Sequence, residues 1–573
     1  MKRKITFITL SFILLAIFAN FAKADIIANS YDWRDVYTIM LYSHYLNQTF
    51  HFVNNLGEAK ILSMTLHKHQ NQKIFESKAN SVVKNFQKFL QLRGFSSVGS
   101  EYFTDYKTLQ FDLYRRIKEK IKGFIVINNQ FGYDAISVTP YALKNNYWVF
   151  FYSPELESNL ISLLNSERKS VIFYGEFFTK PWLDLHTNYT IISQNSFMEN
   201  NRAILELLAR QANLSKSWLV VCNGKYLGES YLLEKMPITF TEQSVDFVVN
   251  WCKKNGVRLV EVVGPENVGY GQSILDLSNR TIGVIVRTGR TFTGSSLLRG
   301  KAFVLRMLPV DEPTASLQIG EIYYNVPSKS LIINIKNNGN IGTYYYLSGI
   351  GTFYGSKESF PHYTPTLHYL PAGKEVSISI PLNLSKPPEK AELLLLYGYE
   401  FPLKKYGETA IFNVTKDLTG DNSSIQLISF YYDYYGRKLS LILKNNGNVD
   451  VNCFGEVYGF NFLGKNRTLF FGPAKIDPGK TLTLSFPIRL EENDLSNNSK
   501  LEVRIYYGEN PNKMVKQLTE TVSLVQKKFP FTALMVLVSE NRFILICCVS
   551  VAALTILLLI LLKKRKKAKR GKK

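Results

Sequence analysis

One stretch of the chain is written twice. Ser316-Leu-Gln-Ile-Gly-Glu-Ile-Tyr-Tyr324 is matched 108 residues later by Ser424-Ile-Gln-Leu-Ile-Ser-Phe-Tyr-Tyr432. Leu331-Ile-Ile-Asn-Ile-Lys-Asn-Asn-Gly-Asn340 is matched at the same offset by Leu439-Ser-Leu-Ile-Leu-Lys-Asn-Asn-Gly-Asn448. Leu370-Pro-Ala-Gly-Lys-Glu-Val-Ser-Ile-Ser-Ile-Pro381 is matched by Ile476-Asp-Pro-Gly-Lys-Thr-Leu-Thr-Leu-Ser-Phe-Pro487, and Leu395-Leu-Tyr-Gly398 by Arg504-Ile-Tyr-Tyr-Gly508. A tandem duplication constrains the fold strongly, because both copies must adopt the same architecture. Each copy alternates apolar and polar residues and breaks at Asn-Gly or Pro-Gly, the pattern of short antiparallel strands joined by turns. At roughly 105 residues, each has the size of an immunoglobulin-like sandwich. The Asn-Asn-Gly-Asn segment Asn337–Asn340 reads as a hairpin that needs positive φ.

The strand end Lys-Asn-Asn-Gly-Asn, followed by Pro-x-Gly-Lys and an alternating strand, resembles the CARDB and related immunoglobulin-like modules of prokaryotic, chiefly archaeal, surface proteins. That resemblance implies a stalk of two β-sandwiches, at 313–415 and 424–526.

The part before 305 has a different rhythm. Apolar runs such as Phe124-Ile-Val-Ile127, Trp148-Val-Phe-Phe151, Ser170-Val-Ile-Phe173, Trp218-Leu-Val-Val221 and Leu259-Val-Glu-Val-Val263 are separated by helical patterns. Helices are predicted at 81–92, 106–120, 154–166, 199–211 and 242–254. Continuous apolar strands between amphipathic helices predict parallel α/β units. These also repeat. Asp25-Ile-Ile-Ala-Asn-Ser-Tyr-Asp-Trp-Arg-Asp35 aligns without a gap on Phe124-Ile-Val-Ile-Asn-Asn-Gln-Phe-Gly-Tyr-Asp134, and Trp218-Leu-Val-Val-Cys-Asn-Gly opens a third copy with Glu229 at the corresponding acid. The units are placed at 25–122, 123–215 and 216–305.

The order of apolar strand, Asn-rich loop, Asp-Ala-Ile-Ser helix, strand, helix and Gly-ended strand resembles the cell-wall-binding type 2 repeat. The middle copy carries it best, in Asp134-Ala-Ile-Ser137, Tyr147–Tyr152 and Ser170-Val-Ile-Phe-Tyr-Gly-Glu176. The first copy lacks a visible second helix after Phe50–Val53, the third has Gly228-Glu229 in place of the aspartate, and none has the family's Pro before it. The resemblance implies a pseudo-threefold head that holds anionic envelope polymer, with Asp35, Asp134 and Glu229 at strand-to-helix turns. As residues, these carboxylates read equally as helix N-caps.

Composition enters through charge. The formal net charge is +23, which invites a nucleic-acid reading. Its placement removes that reading: four cations precede residue 25 and nine fall within 563–573, leaving +10 between. The ends are topogenic. Lys2-Arg3-Lys4, the apolar run Ile5–Phe18 and Ala22-Lys23-Ala24 form a secretory signal peptide over 1–24. Residues 543–562 form an apolar segment of membrane-spanning length, with 563–573 as its basic cytoplasmic flank. The expected chain is multidomain: a three-unit α/β head, two Ig-like antiparallel β-sandwiches and one C-terminal transmembrane helix, with the N-terminus outside. Between 25 and 310 the head carries 32 Lys/Arg against 24 Asp/Glu. Arg115-Arg116-Ile-Lys118 is the densest patch, read as ligand-binding or as a solvated helix face.

No nucleophile elbow, H-E-x-x-H or phosphate loop occurs, and His67-Lys-His69 lacks a third ligand at a recognisable spacing. Neither catalytic residues, metal nor cofactor is expected. Cys222 and Cys252 are left as a disulfide or as two buried thiols. Nine N-x-S/T sequons, at Asn47, Asn188, Asn213, Asn279, Asn383, Asn413, Asn422, Asn466 and Asn497, permit N-glycosylation of an exported chain. The expected function is a membrane-anchored, non-catalytic surface protein binding or organising envelope polymer, glycan or an S-layer protein. An adhesin for another cell or a secreted partner, and a carbohydrate-active head using carboxylates, are the alternatives. The partners expected are the lipid bilayer and the envelope, with no nucleic acid.

Overall fold

The computed structural model describes residues 24–527 apart from 212, 224–228, 265–266, 288–309, 312, 355–366, 383, 385 and 400–405. The expected signal peptide, span and basic tail lie outside the described residues. Among the described residues no helix is long and apolar enough to cross a membrane. Two compact units are present, the α/β head and a β-sheet unit.

The head contains three four-stranded parallel sheets. The first is β1 (Asp25–Asn29), β2 (Thr49–Phe52), β3 (Gln72–Ser77) and β4 (Val98–Phe103), with helices α1 (Trp33–Leu46), α2 (Leu56–Thr65), α3 (Phe86–Leu92) and α4 (Tyr106–Ile117). The second is β5 (Gly123–Asn128), β6 (Tyr147–Tyr152), β7 (Ser170–Tyr174) and β8 (Tyr189–Ile192), with α5 (Gly132–Asn145), α6 (Glu157–Glu167) and α7 (Phe197–Gln211). The third is β9 (Leu219–Cys222), β10 (Ile238–Phe240), β11 (Leu259–Val263) and β12 (Gly283–Arg287), with α8 (Glu229–Leu233), α9 (Val245–Lys254) and α10 (Val268–Leu277). In every sheet the spatial order is second, first, third, fourth. The ungapped alignment holds to the residue, since α1 and α5 begin at matched positions, Trp33 and Gly132.

The central strands read as unbroken apolar runs because helices cover both faces; Ile26, Ile27, Phe124, Ile125, Val126, Val220 and Val221 have no exposed surface. Two helical expectations change. The first unit does have a second helix, α2, capped by Asn55, whose side chain accepts the Glu58 amide. It buries only Ala59, Leu62 and Ser63 and leaves Leu56 and Met64 exposed, so no apolar stripe announced it. The helix predicted over 81–92 starts only at Phe86. Residues Val82 and Val83 are instead tied to the Asn29 carboxamide, which accepts both amides at 3.0 Å and donates to the Val83 carbonyl at 2.7 Å.

The β unit contains the duplication. Strands β13 (Leu317–Asn325), β14 (Ser330–Asn337), β15 (Thr343–Tyr354), β16 (His368–Leu370), β17 (Glu375–Pro381), β18 (Lys390–Gly398) and β19 (Tyr406–Asp417) form the first copy. The second has β20 (Ile425–Asp433), β21 (Lys438–Asn445), β22 (Val451–Phe462), β23 (Lys465–Ile476), β24 (Thr481–Pro487), α11 (Glu492–Asn497), β25 (Lys500–Gly508), β26 (Lys516–Ser523) and β27 (Val525–Lys527). In the first copy β19 pairs antiparallel with β18 and then parallel with β13, so one strand joins the two halves of a seven-stranded sheet. The second copy divides that role between β26 and β27.

The Asn-Asn-Gly-Asn segment is not a hairpin. β14 pairs with β13 and β17 while β15 pairs with β16 and β18 at the other end of the same sheet, and β21 and β22 lie in separate sheets, so the segment is an arch between strands that do not pair. It uses no positive φ; left-handed residues nearby are Gly373 in Pro371-Ala-Gly373, Gly479 after Pro478, and Lys329 and Arg437 of the true hairpins. What the arch requires is its first asparagine. Asn337 is fully buried and donates to the carbonyls of Ile341 and Leu370 at 2.8 and 2.9 Å. Asn445 repeats this with Val449 and Ile476 at 2.7 and 2.9 Å, and each accepts the amide of its own glycine, Gly339 or Gly447. Asn445→Ala is expected to lower stability by about 3 kcal/mol, because two buried carbonyls lose their donor. Urea denaturation with an unchanged m-value checks it.

Candidate functional site

An open parallel sheet binds ligands outside the carboxyl ends of its strands, where the order reverses between its first and third strands. In the head those ends carry the segments 29–35, 128–134 and 223–229, which hold the three predicted acids.

Asp35 does not cap its helix. Asp32 does, accepting the Arg34 amide at 2.9 Å. Asp35 lies inside the first turn of α1, 1% exposed, where the Ser30 hydroxyl donates to its Oδ2 at 2.7 Å and Oδ1 has no partner. Burial pushes its carboxyl up to about 7, against the opposing Ser30 bond. Asp134 occupies the matched position in α5 and is half-buried. Its Oδ2 lies 3.3 Å from where a Cβ would stand on Gly175, and Gly175 has φ of 105° at the end of β7. Buried Tyr174 beside it is raised well above the usual tyrosine range, by burial first and then by the Asp134 charge. Glu229 opens α8; its side chain lies outside the described residues.

The structure also assigns a role to residues the sequence did not single out. Arg34 chelates Asp32 through Nε and Nη2 at 2.8 and 2.7 Å and stacks 4.2 Å over the Tyr106 ring. Its Nη1 donates to the Asn129 carbonyl of the second unit at 3.2 Å, while the Asn129 amide donates to the Tyr106 hydroxyl at 2.8 Å. Tyr133, which aligns with Arg34, does the same one unit on. Its hydroxyl donates to the Asn223 carbonyl, and its ring stacks on Phe240 with centroids 4.5 Å apart. The residues before Asp35 and Asp134 thus reach the loop of the following unit, joining the carboxyl ends of the sheets into one face. The gapless alignment held this signal in positions 34 and 133, but it draws the eye to the shared acid, not to two unlike neighbours.

Arg115 and Arg116 are not part of that face. Helix α4 starts at the carboxyl edge with Tyr106 and ends toward the amino edge, where Arg115 pairs with Asp112 at 2.8 Å. Arg116 grips both Glu101 oxygens, which Lys73 also reaches at 2.9 Å, and these cations hold the Glu101 carboxyl below its usual range. Cys222 and Cys252 are buried thiols not joined in a disulfide; burial pushes Cys252 up to about 12. Among the described residues no three His, Cys, Asp or Glu side chains gather in a metal-binding group. Eight of the sequon asparagines are exposed, and Asn383 lies outside the described residues.

No family model matches the chain. No curated protein matches it. Among solved structures it is similar to Cwp8 from Clostridium difficile, at 17% identity and a TM-score of 0.37, over 45% of this chain and 48% of that one. Cwp6 from Clostridium difficile aligns at 12% identity and a TM-score of 0.34, over 43% of this chain and 41% of that one. The ligand binding region of Serine-glutamate repeat protein A of Enterococcus faecium aligns at 12% identity and a TM-score of 0.14, over 19% of this chain and all of that one. The chain spans about half the length of the first of these structures.

Proposed function

We propose that the chain is a membrane-anchored surface protein whose head binds an anionic polymer, glycan or lattice protein of the cell envelope. In this reading residues 1–24 direct export, 543–562 anchor the chain and 563–573 remain in the cytoplasm. The β unit is the stalk, and the head associates with its ligand without catalysis. The observation that carries the reading is the joined carboxyl face, with Arg34 and Tyr133 linking one unit to the next. An extended polymer needs such a continuous row of repeated contacts, because each alone is weak and their sum is not. The resemblance to the cell-wall-binding type 2 repeat supports it, as does the excess of Lys and Arg in the head.

The test is co-sedimentation of the detergent-solubilised full chain with isolated, membrane-free envelope material. Arg34→Ala, which cuts the tie to Asn129, is expected to weaken pelleting about tenfold, equivalent to about 1.4 kcal/mol. Failure to pellet, with binding to intact foreign cells instead, would turn the assignment to an adhesin.

A further inference from the structure

The sequons are not distributed like the other asparagines. Nine asparagines are buried among the described residues, Asn29, Asn337 and Asn445 among them, and none of the nine begins a sequon. All eight described sequon asparagines are exposed. Their carboxamides are also uncommitted. Among the described residues only Asn213 uses its own in a hydrogen bond, through Oδ1, which accepts the Ser215 amide at 3.0 Å. The buried Asn337 and Asn445 each donate from Nδ2 to two carbonyls.

Topology adds a second, independent regularity. Asn47 lies between α1 and β2, and Asn188 immediately before β8. Asn213 lies between α7 and β9, and Asn279 between α10 and β12. All four are helix-to-strand connections, which in a parallel sheet lie at the amino ends of the strands. None falls in the strand-to-helix segments 29–35, 128–134 or 223–229 at the carboxyl ends.

We infer that the exposed sequon asparagines carry N-linked glycan, and that in the head this glycan is confined to the amino edge of the sheets, leaving the carboxyl face bare for its ligand. The inference rests on the proposed export of the chain. The donor is a lipid-phosphate- or lipid-pyrophosphate-linked oligosaccharide. The asparagine Nδ2 forms a bond to the anomeric carbon, the carbon–oxygen bond to phosphate breaks, and the lipid phosphate leaves with the electron pair. The amide gives up one proton to the transferase. At Asn47 and Asn279 the left-handed backbone, φ 56° and 53°, turns the residue out of the connection. On the β unit, Asn413, Asn422, Asn466 and Asn497 place glycan along both copies of the duplication.

The experiment uses the full chain in its own host. Protease treatment of intact cells reads export, and mass spectrometry of proteolytic peptides reads each sequon separately. Expected is a surface-accessible chain whose peptides containing Asn47, Asn188, Asn213 and Asn279 carry glycan mass. An accessible chain with every sequon peptide at its unmodified mass overturns the inference and leaves the binding proposal standing. A protected chain overturns both. The confinement is tested by Gln130→Thr, which makes Asn128 a sequon on the carboxyl face. Glycan there is expected to reduce envelope pelleting at least about tenfold, while replacing all four native head asparagines by Gln changes it less than about twofold. Unimpaired pelleting of glycosylated Gln130→Thr chain overturns the bare-face part of the inference.

Discussion

Glu456→Ala is expected to destabilise both copies of the duplication together, by about 3–5 kcal/mol. Glu456 on β22 belongs to the second copy and His368 on β16 to the first; each is 1% exposed. His368 Nδ1 lies 2.8 Å from Glu456 Oε2, the Tyr369 amide donates to Oε1 at 3.1 Å, and the Tyr458 hydroxyl donates to Oε2. Three donors from both copies converge on one carboxylate. Truncating it leaves them buried and unsatisfied, the costly way to break such a cluster. The surroundings prevent easy relief, since His368 stacks on Tyr345 at 5.0 Å and Phe454 stacks on Tyr506 at 4.9 Å.

The apolar core is shared as well. Phe454, Phe470, Tyr506 and Met514 of the second copy pack in one cluster with Leu317, Ile333, Leu370 and Leu393 of the first. Polar bonds cross beside them, from the Thr468 hydroxyl to the Leu367 carbonyl at 2.6 Å and from the Ser379 hydroxyl to the Val515 carbonyl at 3.0 Å. The β unit should therefore melt in one calorimetric transition. Glu456→Ala should lower its midpoint by roughly 10 °C, taking about 2–4 °C per kcal/mol for a unit of this size. A wild-type β unit that melts in two separate transitions would falsify this account.

The fold was legible wherever periodicity and repetition coincide. Pairing in β13 and β20, and in β14 and β21, follows the 108-residue offset because alternation with period two decides which face of a strand is buried. The three head units were legible through Asp25–Asp35 and Phe124–Asp134, where apolar strand and helix start recur at one spacing. Local reading failed where a single buried polar group organises the chain. Asn337 and Asn445 look like turn formers, yet they tie together strands that do not pair; the bonds depend on Leu370 and Ile476, which are 33 and 31 residues away. The shared core of the β unit was hidden for the same reason, because nothing in the sequence of β16 says that His368 meets Glu456. At the candidate face the acids were visible and their surroundings were not. Asp35 and Asp134 align, but one is buried beside Ser30 and the other lies against Gly175.

That difference predicts a pH response confined to the first unit. Asp35 titrates at about 7 in the folded head, against 3.8 for the unperturbed group, and burial is the main cause. Between those values the folded state holds a proton that the unfolded chain has lost, so stability falls as pH rises through the window. Below about pH 4 the carboxyl is protonated in both states and costs nothing; above about pH 7 the full penalty stands. The span of roughly three pH units corresponds to roughly 4 kcal/mol. The Arg34 guanidinium acts against this penalty, while Asp32 and Asp105 add to it. Asp35→Asn keeps an oxygen for the Ser30 hydroxyl and removes the titration. His44 on the same helix, held down to about 4 by burial, adds stability as pH rises through this window in both proteins. The difference between the two therefore isolates the carboxyl: relative to wild-type, Asp35→Asn is expected to gain stability as pH rises from 4 to 7 and to be the more stable of the two at pH 8. Denaturation of the full chain across this pH range, followed by a head-specific probe such as the buried Trp33 and Trp148, checks it. Parallel pH profiles for wild-type and Asp35→Asn would mean that the Asp35 carboxyl is charged and solvated in the folded head.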